Sequence, residues 1–255
     1  MLLLLPVHAQ ADFDHSAWDG LLKEHVRVIG GGIATQVDYS GMAADRGVLK
    51  AYLDEVAMVP RSTFDSWSSA AQLALLINVY NAYTVDVILE EYPDIDSIRD
   101  IGFFLSSAWN QKFASLFGEQ VTLDEIEHDM IRGWSRYQEP RIHFAVNCAA
   151  IGCPALRAEA YVGDKLEAQL EDSTKRFLSD RSRNYYDNGR MYISSIFDWY
   201  EEDFEQGWGG IDSVAEFLAG YVADLEVDMA VANQLRADDI RIRHLKYDWS
   251  LNDTQ

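Results

Sequence analysis

The sequence predicts an α+β fold: a mostly helical single domain with a small antiparallel sheet. A papain- or transglutaminase-like core is one candidate within that class. Three observations carry the prediction. Apolar residues recur at helical spacing over much of the chain, whereas strand-like alternation is confined to a few short, scattered segments. The 255 residues suffice to bury a sizeable core without staples. A composition of 48% hydrophobic and 12% aromatic residues belongs to a globular protein and not to a disordered one.

Residues 1–11 read as the end of a secretory signal, a leucine run followed by the small-x-small pattern Ala9-Gln10-Ala11. The basic start of such a signal is missing. The expectation is a clipped remnant followed by a mature domain over 12–255, located in the periplasm or outside the cell, where disulfides persist. No later segment reads as a membrane span.

The elements follow in order. Ser16 is placed to cap a helix burying Trp18, Leu22 and Val26, which ends at Gly30-Gly31-Gly32. That triplet lacks the spacing and preceding strand of a nucleotide loop and reads as a turn. A second helix is expected over 43–56, with Leu49, Leu53 and Val56 in phase, closed by Pro60. The longest, over 63–91, carries a wide apolar stripe through Leu73, Ile77, Tyr80, Thr84 and Val87 or Ile88. Asn78 and Asn81 interrupt it on one face, and Pro93 ends it. Thr122-Leu123-Asp124-Glu125 is a capping box opening a helix over 124–134. Residues 141–147 alternate as a strand, with Ile142, Phe144 and Val146 on one side and His143 and Asn147 on the other. A helix over 163–178 follows. Asp187-Asn188-Gly189 turns into a strand at 191–193. An aromatic helix or turn covers 196–204, Asp212 is placed to cap a helix over 213–223, and 240–245 is a further strand.

The formal net charge of −21 excludes nucleic acid as a natural partner, because phosphate recognition needs a concentrated basic surface. A small-molecule or peptide ligand remains, and the oligomeric state is not readable.

Both cysteines, Cys148 and Cys153, fall in the stretch from Arg141 to Pro154. Two cysteines alone cannot close a zinc site, although His128 and His143 could complete one; no metal and no cofactor are expected. A disulfide across five residues is feasible if the loop doubles back. The functional alternative is a thiol nucleophile, which needs a base or cation beside it. In a strand ending at Asn147, Cys148 meets His143 only if the chain curls. His128, on the preceding helix, is the other candidate base. Asn78 and Asn81 must find hydrogen bonds inside their apolar helix, either to a neighbouring loop or to a histidine or substrate carbonyl.

Several blocks together resemble the domain of unknown function family 547. They are Ile77-Asn78-Val79-Tyr80-Asn81-Ala82-Tyr83-Thr84, Ile126-Glu127-His128 with Ile131-Arg132, Arg141 to Ala149 with Gly152-Cys153-Pro154, and Tyr247-Asp248-Trp249-Ser250-Leu251-Asn252. The resemblance runs from about Ser62 to Asn252. Family members include bacterial proteins with secretion signals and plant proteins whose domain follows a leucine-zipper-like region. This chain has no zipper, so the bacterial secreted type is the nearer. Gly152 stands where the family usually carries Ser or Lys.

The resemblance implies no established activity. It implies motif positions at Asn78, Tyr80, Asn81, Glu127, His128, Arg132, His143, Asn147, Cys148 and Cys153. Three functions remain open. In the first, Cys148 is the nucleophile of an acyl hydrolase or transferase, with His143 or His128 as base and Asn147, Asn78 or Asn81 as orienting amide. Tyr80, Glu127, Arg132 and Cys153 would then line the substrate site. The second is a non-catalytic module binding a peptide, a glycan or a small thiol such as glutathione. In the third the cysteine pair cycles between dithiol and disulfide.

Overall fold

The computed structural model describes residues 12–102 and 106–254, so the expected signal remnant over 1–11 lies outside the described residues. Helix α1 (Ser16–His25) buries Trp18, Leu21 and Leu22. Ser16 does not cap it. The Asp14 carboxylate accepts from the Ser16 N–H at 2.9 Å instead. Val26 begins a strand and does not extend the helix. β1 (Val26–Ile29) and β2 (Ala34–Val37) form an antiparallel hairpin that the sequence did not reveal. The glycine triplet is its turn, all three residues at positive φ, which explains why three glycines stand together.

α2 (Tyr39–Ala44) and α3 (Arg46–Ala57) divide the helix expected over 43–56. α4 (Arg61–Asp65) and α5 (Ser69–Glu91) likewise divide the one expected over 63–91. The break falls where Ser68 restarts the helix, its hydroxyl accepting from the Ala71 N–H at 3.1 Å. α5 is buried on nearly every side from Ala71 to Leu89. Contrary to the sequence reading, it is long and apolar enough to cross a membrane, but its apolar window is wholly covered by protein. Its buried Asp86 is held by Arg46 at 3.0 Å and Lys50 at 2.7 Å, which fastens α3 to α5.

β3 (Ala114–Leu116) and β4 (Glu119–Val121) form a second hairpin. The capping box is present: Thr122 Oγ1 accepts from the Glu125 N–H at 3.0 Å, and Glu125 Oε2 accepts from the Thr122 N–H at 2.8 Å. The helix it opens is wound as a π-helix over Glu125–Arg132.

Residues 141–147 are not a strand. Pro140–Phe144 is a 3₁₀ turn, with Glu139 accepting from the Arg141 N–H at 3.1 Å. Pro140 fixes the first φ of that turn, and every residue from Pro140 to Asn147 is buried, so the alternation does not mark an inside and an outside. Arg141 is buried among Glu139 (2.7 Å), Glu167 (2.7 Å) and Glu171 (3.3 Å), which ties the turn to α6 (Leu166–Leu178).

β5 (Tyr185–Asp187) and β6 (Arg190–Ser194) pair antiparallel around Asn188 and Gly189, both at positive φ. α7 (Ile196–Trp199) and α8 (Glu201–Phe204) cover the expected aromatic stretch. Ser213, not Asp212, caps α9 (Val214–Ala219), accepting from the Glu216 N–H at 3.1 Å. α10 (Met229–Arg236) precedes β7 (Arg241–Leu245), which lies parallel to β6. The helices between those two strands are the crossover that a parallel pair requires. In place of one antiparallel sheet the described residues thus form two hairpins and one mixed three-stranded sheet, within an α+β fold.

Among the described residues two apolar cores result. The larger surrounds α5, and the smaller collects Phe144, Phe177, Phe197, Phe204 and Phe217. Ile142 belongs to the first and Phe144 to the second, which puts His143 at the seam.

Candidate functional site

A cleft of about 440 Å³ opens at that seam. Its walls include Tyr80 from α5, Glu127, His128 and Arg132 from the π-helix, and His143, Cys148 and Pro154 from the central segment. Trp199 and Tyr200 join from α7 and the residue after it, and Tyr247 and Trp249 from the C-terminal segment. Trp199, Tyr247 and Trp249 pack ring to ring, with centroids 4.6–5.8 Å apart, as an aromatic wall.

His143 is fully enclosed. Its Nε2 lies 2.6 Å from Asp203 Oδ2, and its ring stacks on Tyr200 with centroids 3.9 Å apart. A carboxylate can only accept, so Nε2 carries the proton and Nδ1 is the basic nitrogen. That Nδ1 is buried and has no hydrogen-bond partner among the described residues. Burial pushes the imidazole pKa below its ordinary value, against the opposing pull of Asp203 and Glu127, so the ring is neutral at pH 7. Burial alone would raise the Asp203 carboxyl, but the bonds from His143 and Arg132 hold it well below the usual carboxylate range. Arg132 grips Asp203 with two nitrogens, at 2.6 and 3.1 Å. The pair is therefore a neutral histidine on an ionised aspartate, with an arginine behind the aspartate.

His128 sits differently. It is about two-fifths exposed, its Nδ1 is 2.8 Å from Arg132, and its Nε2 is 3.9 Å from Asp124. The contacts link Asp124, His128 and Arg132 along one face of the π-helix. Glu127 is buried on the cleft wall, where its carboxylate faces the hydroxyls of Tyr80 and Tyr200. Burial and that carboxylate raise the pKa of both tyrosines.

Cys148 and Cys153 are joined as a disulfide. The partner of Cys148 is not a histidine: its Sγ lies 3.2 Å from the Tyr247 hydroxyl, which is also 3.2 Å from Cys153 Sγ. Arg183 clasps the loop from outside through the carbonyls of Ile151, Gly152 and Cys153.

The asparagines are committed to backbone. Asn78 bonds both ways with Tyr161, at 2.7 and 3.0 Å. Asn81 donates to the Ala145 carbonyl at 3.0 Å and accepts from the Asn147 N–H at 2.8 Å. Asn147 donates to the Pro154 carbonyl at 2.8 Å and accepts from the Ala149 N–H at 2.9 Å. Each amide is satisfied on both sides, which is what burial demands. Asn81 and Asn147 thereby set the path of the chain into Cys148, while the group that orients His143 is a carboxylate. The structure thus brings Tyr80, Glu127, His128, Arg132, His143 and Cys148 to one cleft, with Cys153 behind and the asparagines as braces. It adds Asp203, Tyr200 and the aromatic wall. Asp203 falls in the run Glu201-Glu202-Asp203, inside the stretch expected only as an aromatic helix or turn. Away from the cleft, Glu24, His25 and Asp45 have potential ligand atoms within 4.8 Å of one another, and His25 Nε2 bonds Asp45 at 2.9 Å.

Residues 64–178 match the model of a family described as a protein of unknown function, DUF547. No curated protein and no solved structure matches the chain. The matched span holds all ten motif positions from Asn78 to Cys153, while Asp203, Tyr247 and Trp249 lie beyond it.

Proposed function

We propose, from the cleft and because residues 64–178 match the model of the DUF547 family of unknown function, a thiol-dependent acyl hydrolase or transferase that is latent while its cysteines are paired. The observation that carries this is the buried His143–Asp203 pair, 2.6 Å apart and with a second nitrogen that has no partner among the described residues, beside a cleft that Cys148 also lines. The roles are of the papain type, with Asp203 taking the place of the expected asparagine.

In the reduced protein, the Cys148 thiol gives its proton to His143 Nδ1, and the thiolate attacks an acyl carbon. An acyl–sulfur bond forms, and His143 returns the proton to the leaving group. Water or an amine then takes the acyl group. Asp203 holds the imidazole in the tautomer this requires and stabilises its charged form. The disulfide is compatible with an oxidising compartment, and a periplasmic or extracellular location is part of the proposal.

The test is alkylation and turnover after mild reduction. Iodoacetamide at neutral pH should label Cys148, and p-nitrophenyl acetate should be hydrolysed, with both lost in Cys148→Ser. A reduced, folded protein that does neither refutes the proposal. The aromatic wall supports a second reading, a non-catalytic module for a peptide, glycan or small thiol. Ligand binding unchanged in a Cys148→Ser, Cys153→Ser double variant, without ester hydrolysis by the wild type, would favour it.

A further inference from the structure

The two sulfurs of the disulfide are not equivalent. Cys148 is partly exposed on the cleft wall, whereas Cys153 is 3% exposed. Cys153 Sγ accepts from two backbone donors that Cys148 lacks, the N–H of Cys148 at 3.1 Å and the N–H of Ala150 at 3.3 Å, and the Tyr247 hydroxyl, 3.2 Å from both sulfurs, is a third donor free to turn to it when it leaves. The cationic Arg183, itself fixed by Asp180 at 2.8 Å, lies over the same loop. Such a nest favours negative charge on Cys153, because hydrogen bonds to a charged form stabilise it. In thiol–disulfide exchange the sulfur that leaves as the more stable thiolate leaves faster, and the accessible sulfur is the one attacked.

We infer that Cys148 is a thiolation site: a small organic thiol enters the cleft, attacks Cys148 Sγ, and expels Cys153. The incoming thiol first loses its proton to water. Its sulfur then bonds to Cys148 Sγ while the Cys148–Cys153 bond breaks, and the electron pair goes to Cys153, which is held as a thiolate by its three donors. A second thiol of the same kind attacks its own sulfur in the mixed disulfide, leaving a symmetrical disulfide in solution and a free Cys148 thiol. The dithiol form that the acyl chemistry needs is thereby generated without unfolding. The cleft, about 440 Å³ and walled by Trp199, Tyr247 and Trp249, has room for a thiol of peptide size.

Glutathione is the probe. The native oxidised protein is exposed to reduced glutathione, quenched in acid, blocked with N-ethylmaleimide and mapped by peptide mass. The expected product carries glutathione on Cys148 and maleimide on Cys153. Glutathione on Cys153, or exchange only after urea unfolds the protein, overturns the inference. Tyr247→Phe removes one of the three donors and should slow the exchange about tenfold. An unchanged rate would show that the nest does not assist departure of Cys153. The mass readout is independent of acyl turnover: adduct formation without ester hydrolysis sinks only the acyl reading, and ester hydrolysis by reduced protein without adduct formation sinks only this one.

Discussion

Asp203 shows how a side chain of the candidate site can be decided by distance in space and be invisible along the chain. It sits 60 residues from His143, in an acidic stretch with nothing to mark it, and only the fold brings the two within 2.6 Å. Cys148, His143 and the motif residues of the π-helix were legible because reactive side chains interrupt apolar runs. Asp203→Asn should leave His143 a neutral acceptor and deprive Arg132 of its ion pair. Ester hydrolysis by the reduced protein should fall about 10²-fold, the usual scale of assistance by a positioned base. The pH profile gives a second check. His143 is depressed below the ordinary imidazole value of about 6.5. The base form thus persists below that pH, and the acid limb of kcat/KM should fall under 6.5. Asp203 opposes the depression, so Asp203→Asn should carry the limb further toward acid; a limb that moves up contradicts the assignment.

At the scale of elements, the 141–147 segment is the instructive failure. Its apolar alternation resembled a strand, but a segment buried on all sides leaves no wet face for alternation to report, and Pro140 supplied the local cue for a 3₁₀ turn. The long helix was foreseen in type, and its asparagines were foreseen to need partners. Their targets, Tyr161 and the chain at 145–147, lie in distant sequence and could not be named. Asn81→Ala would strip a bond from each of two buried backbone groups, at a cost of about 2–4 kcal/mol, measured as a lowered denaturant midpoint. Gly152 is a second point of contact between elements. A Cβ there would lie 2.8 Å from the Tyr247 ring and 2.9 Å from the Asp248 carbonyl, closer than a side chain can sit without displacing one of them. Gly152→Ala should displace Tyr247 from the two sulfurs and alter tyrosine fluorescence, whereas Gly47→Ala, in open space, serves as the control.

For the molecule as a whole, acid is the expected weakness. His15 is buried against Tyr52, and burial lowers its pKa to about 4, while His143 is lowered as well. Both take up protons more readily when unfolded, so the stability they confer is complete above about pH 6.5 and is lost as pH falls toward their folded values. For His15 the loss amounts to about 3 kcal/mol by pH 4. Urea midpoints measured between pH 7 and 4 should fall steadily, and His15→Gln should flatten much of that slope. The disulfide contributes less than its position suggests: closing so short a loop is worth about 2 kcal/mol, so the double serine variant should remain folded at room temperature. The α+β class and the predominance of helix over strand were readable from periodicity. The seam between two cores was not, because it depends on which apolar residues meet.

The segment from Tyr247 to Asp253 reaches back across nearly the whole chain. Leu251 bridges to Ala150, Asp253 bridges to Val37, and Asn252 accepts from Tyr39 at 2.8 Å. Tyr247 and Trp249 of the same segment form part of the cleft. The order of events during synthesis follows. A ribosome could release α5, the π-helix and the cysteine loop while this last wall was still missing. In that interval the cysteines would be unguarded and open to any oxidant or thiol. The cleft is walled on this side only when translation has passed residue 249, and until then the cysteine loop stands without the side chains that cover it.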